Sequence, residues 1–132
     1  MNAPAIYVTE QDLARLEQLL DSESARMLPG IDMLAAELDR ATVVAVEEIG
    51  SDVVTMNSTV RFVDEGEYKA YELRLVYPNQ AGQPGTVSIL APVGSALLGL
   101  SVGQTIRWQV PGGRDLQLRV VSVVSQPESE AG

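Results

Sequence analysis

The hydrophobic pattern of this chain changes period at Gly50, and that change limits the folds open to it. Before it, apolar side chains recur three and four residues apart: Leu13, Leu16 and Leu20, then Ile31, Leu34, Leu38 and Ala41. That spacing places them on one stripe of a helix. After it, apolar and polar residues alternate. Tyr71, Leu73, Leu75 and Tyr77 enclose Glu72 and Arg74; Ile106, Trp108 and Val110 enclose Arg107 and Gln109; Leu116, Leu118 and Val120 enclose Gln117 and Arg119. A period of two belongs to strands with one buried face. The fold class is therefore α+β, with helices first and strands after.

The first helix is expected to start at Thr9, a good N-cap. Val8 and Leu13 stand at hydrophobic-staple positions, and Asp12 stands where a capping box would prefer Glu. The run breaks in DSESARMLPG, where Pro29 and Gly30 stop it. Two helices with one apolar seam each predict an antiparallel hairpin, a coiled coil of about 12 residues a side and about 18 Å long. Helices this short are marginal alone and must lean on each other or on the rest. Residues 43–52 read as a linker closing at Gly50, so the expected domains are a hairpin over 1–46 and a β-rich unit over 47–132. In the second, Val60 and Phe62, and Val87 and Ile89, add shorter runs. Breaks fall at DEGE, PNQAGQPG and PGG. About five or six strands follow, mostly antiparallel, in a sheet or half-barrel. GSALLG at 94–99 is the one helical turn among them, with Pro92 and Gly94 at its start and Ala96, Leu97 and Leu100 toward the sheet.

The chain has no cysteine and no histidine. Disulfides and cysteine-ligated zinc are excluded, and a serine nucleophile lacks its usual base. Ser58, Ser88, Ser95 and Ser101 read as strand-edge and cap residues. A metal site would need carboxylates alone. Asp21 and Glu23 at the hairpin tip, with Asp32 after the turn, could hold a magnesium ion; the same residue types are ordinary turn formers. The glycines of GSALLG and PGG follow no phosphate-binding pattern. No catalytic residue, metal site or cofactor is expected, which points to binding. The net charge of −9 argues against nucleic acid and anionic membrane as direct partners. The charge is uneven: residues 1–50 hold ten acids and three bases, the remainder eight and six. The acidic front either keeps the chain in solution or meets something basic. No apolar run reaches the length of a membrane span, and MNAPAIYVTEQD lacks a signal-peptide pattern, so a cytoplasmic location is expected.

ILAPVGSALLGLSVGQTIRWQVPGG at 89–113 resembles the C-terminal domain of the bacterial Gre transcript-cleavage factors. Ser88, Pro92, Ala96, Leu97, Leu98, Gly99, Gly103 and the Pro-Gly-Gly match that pattern. Ala91 stands where it has Ser, and Gln104 where Asp is usual. DVVTMNSTVRF at 52–62, LVYP at 75–78 and AAELDRA at 35–41 are more particular. Together with APVGSALLGL they are similar to the Gre-related family of the regulator of nucleoside diphosphate kinase.

The resemblance implies an N-terminal coiled coil and a C-terminal FKBP-like domain, a curved sheet covered by a short helix. The fold name does not bring prolyl isomerase activity with it. The resemblance also implies binding to RNA polymerase near its secondary channel, with the C-terminal domain on the channel rim, and a link to nucleoside diphosphate kinase levels. Ser88 and Pro92 match family positions on the docking edge, and Ala91 and Val93 lie beside them. The acidic tip motif of the Gre factors does not align with Asp21 and Glu23. An arm of about 18 Å should stop at or just inside the channel mouth. The expectation is a monomer that competes with Gre-type factors without stimulating transcript cleavage. Two alternatives stay open: a weak metal-dependent cleavage factor acting through Asp21 and Glu23, and an adaptor for another protein such as nucleoside diphosphate kinase.

Overall fold

The computed structural model describes residues 5–22, 30–108 and 115–126. The chain enters as a short strand, β1 (Tyr7–Thr9), continues through α1 (Glu10–Asp21) and α2 (Ile31–Arg40), and returns as β2 (Thr42–Val44). β1 and β2 pair in parallel, with Tyr7 opposite Thr42 and Thr9 opposite Val44. Val43 and Val44, read from the sequence as the start of a linker, are thus strand residues. Three residues are too few for a period to show.

The remaining strands form an open half-barrel sheet. They are β3 (Thr59–Asp64), β4 (Lys69–Val76), β5 (Thr86–Ser88), β6 (Thr105–Trp108) and β7 (Leu116–Ser125), in the order β5-β4-β3-β7-β6. Neighbours are antiparallel except β4 and β5. The helix α3 (Pro92–Leu97) connects β5 to β6 and buries Ala96 and Leu97, with Leu100 behind them. Val60, Phe62, Leu75, Ile106, Leu118 and Val120 line the covered face of the sheet. Phe62 stacks on Tyr71 across the β3–β4 ladder, ring centroids 5.4 Å apart. Among the described residues no helix is long and apolar enough to cross a membrane.

The helices α1 and α2 lie on this core at three levels. At the start of α1, the Thr9 hydroxyl oxygen accepts from the Asp12 backbone N–H at 3.0 Å, the N-cap bond expected there. The Asp12 carboxylate is buried and accepts from the Met56 backbone N–H at 3.1 Å, tying the helix to the segment before β3. Midway, Leu16 and Leu34 are wholly buried in one cluster with Val54, Met56, Ile89 and Leu97. At the start of α2, Gly30 holds φ +90°, and a Cβ there would overlap the Leu90 carbonyl oxygen. Two short helices cannot bury leucines on their own, and the sheet unit supplies the missing cover.

Asp12→Ala leaves the buried Met56 N–H without its acceptor. A loss of about 2 kcal/mol is expected, read as a lower denaturant midpoint with an unchanged slope. An unchanged midpoint would mean that the bond holds nothing together.

Candidate functional site

The four residues singled out as partner-binding fall in one turn, the exit from β5 into α3. β5 is an edge strand, held on one side by β4 with Ser88 opposite Val76. The Ile89 N–H donates to the Val76 carbonyl at 2.9 Å, and the chain then reverses. Ser88 closes the reversal twice. Its carbonyl accepts from the Ala91 N–H at 3.0 Å, and its hydroxyl oxygen accepts from the Leu90 N–H at 3.1 Å.

α3 begins at once. Ala91 is the N-cap in extended conformation, and Pro92 takes the first helical position. The missing N–H of proline costs nothing there, and its fixed φ suits the helix. The Ala91 carbonyl accepts from the Ser95 N–H at 2.9 Å. Ser95 is wholly buried, and its hydroxyl donates to the Ile89 carbonyl at 2.7 Å. Gly94 crosses so close to Ser88 that a Cβ would overlap its carbonyl oxygen. The turn is therefore braced from β4, from inside α3 and, through Leu90 and Gly30, from α2.

On this frame Ser88, Ala91, Pro92 and Val93 are all half-buried. None of the four carries a charge. The surface is neutral, partly apolar and fixed in backbone shape, which suits contact with a protein. It offers no titratable group for proton transfer.

Asp21 is exposed at the last position of α1, and Asp32 is exposed in the first turn of α2. Glu23 lies outside the described residues, as do Pro29, Val110, the Pro-Gly-Gly at 111–113 and the Trp108 side chain. Among the described residues no group of three or more Asp and Glu stands close enough to hold a metal ion.

Sequence reasoning missed what fixes the turn. The sequence pattern puts Gly94 at the start of a helix and Gly30 at a break between helices, whereas both are points of close backbone approach. A glycine inside a helical pattern is the signal that was available for the first. Nothing in the sequence pairs Gly30 with Leu90.

Residues 49–125 match the family model described as "Transcription elongation factor, GreA/GreB, C-term", and residues 4–44 match "Rnk N-terminus". The regulator of nucleoside diphosphate kinase of Escherichia coli (strain K12) is 42% identical over 130 residues, 98% of this chain and 96% of that protein. Transcription elongation factor GreA of Methylobacterium nodulans is 35% identical over 82 residues, 61% of this chain and 51% of that protein. A solved structure described as the prokaryotic transcription elongation factor GreA/GreB from Nitrosomonas europaea is 50% identical. It superposes with a TM-score of 0.71 over 92% of this chain and 99% of its own.

Proposed function

The chain belongs to the family of the regulator of nucleoside diphosphate kinase, related to the Gre factors, and on that premise we propose that it is a transcription regulator docking on RNA polymerase. Ser88, Ala91, Pro92 and Val93 make the contact, on the rim of the secondary channel. A protein seated there excludes Gre-type factors by occupying their place. Nucleoside diphosphate kinase levels then change as an outcome of altered transcription. The protein acts as a monomer in the cytoplasm. Residues 47–132 form the docking unit, of FKBP-like type, and residues 1–46 a short coiled-coil hairpin that leans on it.

The observation that carries this reading is the braced, uncharged turn from β5 into α3. Its shape is set before any partner arrives, so little ordering cost attends binding. The helices add a reason for the absence of cleavage stimulation. α1 has 12 residues, so it is about 18 Å long, and Gly30 at the start of α2 rests against Leu90. Leu19 and Leu20, just before Asp21, pack against the core, so Asp21 sits near the body of the protein and not at the end of a long arm.

Titration of labelled protein into core polymerase tests the docking. Binding at micromolar protein and low salt is expected. Ala91→Arg puts a long cation on the turn and should weaken binding about tenfold or more while leaving the fold intact. Failure of the unaltered chain to bind would remove the proposal.

A further inference from the structure

The sheet has a second face, turned away from α1, α2 and α3. Alternate residues of four of its strands supply most of it: Arg61 and Val63 from β3, Glu72 and Arg74 from β4, Thr105 and Arg107 from β6, Gln117 and Arg119 from β7. Each of the four arginines is exposed, and each comes from a different strand.

The register sets them in a row. Arg107 is opposite Gln117, two positions before Arg119. Arg119 is opposite Val63, two positions from Arg61, and Arg61 is opposite Glu72, two positions before Arg74. Every step goes one strand sideways and two residues along in the same direction. Each step is about 8 Å and the whole diagonal about 25 Å.

Two of these cations have carboxylate partners. Arg61 meets Glu72 at 2.6 Å, and Arg119 meets Glu65 at 3.6 Å. Arg74 and Arg107 have none among the described residues. A chain with only nine basic residues and a net charge of −9 thus places four arginines on one sheet face.

Beside the row, β7 carries two bulges. Its register against β3 shifts between Arg61 and Phe62 and again between Thr59 and Val60. The extra residues are Val121 and Val124, 47% and 50% exposed. A bulge aims a side chain where a regular ladder would not. Here both bulges bring valine into solvent.

We propose that this face binds an acidic, partly apolar segment of a partner protein. Guanidinium groups pair with carboxylates in a fixed fork, and the valines offer apolar contact beside them. Nucleic acid also pairs with arginine. It carries a charge at every nucleotide, however, and brings no apolar side chain to cover Val121 and Val124. The outer-face positions named here hold no aromatic side chain on which a base could stack. The row ends one such step short of Ser88, since Arg74 is opposite Thr86, two positions before Ser88; the two surfaces adjoin, but none of the four arginines belongs to the β5–α3 turn.

The test is a titration of isotope-labelled protein with three probes, followed by amide shifts. The probes are a synthetic peptide of alternating Glu and Val, the same peptide with Gln for Glu, and a single-stranded RNA of matching length. The Glu-Val peptide is expected to shift amides of β3, β4, β6 and β7 and to leave those of α1 and α2 unmoved. Arg74→Gln with Arg107→Gln should weaken it about tenfold, and Lys at both positions, which keeps the charge without the fork, should restore only part of that. Ala91→Arg should leave this binding unchanged even where polymerase binding is lost. Absence of shifts confined to this face, or equal binding of the Gln peptide, would overturn the proposal. Tighter binding of RNA on the same strands would assign the face to nucleic acid instead.

Discussion

Leu16→Ala is expected to destabilise the whole protein by about 3 kcal/mol, although the residue lies in the N-terminal helix. Leu16 is wholly buried among side chains of the sheet unit, α2 and α3. Truncation removes apolar contact and leaves a cavity that the braced surroundings cannot close. For a chain of this size the thermal midpoint should fall by roughly 10 °C. The informative part is where protection is lost. Hydrogen exchange should show the amides of β3 and β7 opening together with those of α1, because one core holds them all. If α1 alone loses protection and the sheet keeps its midpoint, the helices form a separate cooperative unit and the shared core is wrong.

The second large effect is expected at Gly94. Its φ is not in the left-handed region, so the constraint is space and not backbone freedom. A methyl group in Gly94→Ala meets the carbonyl oxygen of Ser88, and Ile89 Cα stands 3.1 Å from the same point. Neither neighbour can yield easily. The Ser88 carbonyl is engaged by Ala91, and Ile89 is engaged by Val76 through its N–H and by Ser95 through its carbonyl. Forced overpacking of this kind costs about 3 kcal/mol. Because the displaced atoms are those of the turn, polymerase binding should fall with stability. A denaturation curve beside the polymerase titration checks both. Normal stability with normal binding would show that the turn is looser than its hydrogen bonds imply.

Much of this was legible in the sequence because it rests on local rules. Thr9 caps α1 as its side chain and the following apolar spacing dictate. Leu16, Leu34 and Leu38 face the core as their helical period requires. Phe62, Leu118 and Val120 face it as alternation requires. Pro92 marks the first turn of α3. What escaped was non-local or too short. β1 and β2 have three residues each and pair across the two helices between them. The parallel pairing of β4 with β5 is a matter of topology, which alternation does not encode. Asp12 looked like an imperfect capping-box residue, and its carboxylate serves Met56, forty-four positions away. The arginine diagonal exists only once the register of four strands is known. Ser88, Ala91, Pro92 and Val93 share a turn because they are near neighbours in the chain, while the bracing that shapes the turn is non-local.

The proposed role is occupancy of a polymerase site without cleavage stimulation. Its most direct measurement is competition on a stalled elongation complex carrying a bound, labelled Gre factor. Adding this protein should release the Gre factor in proportion to its concentration, and the RNA should keep its length. The proposed role is contradicted if the Gre factor stays bound at large excess. It is contradicted equally if the RNA shortens in a magnesium-dependent way that is lost in Asp21→Ala with Glu23→Ala.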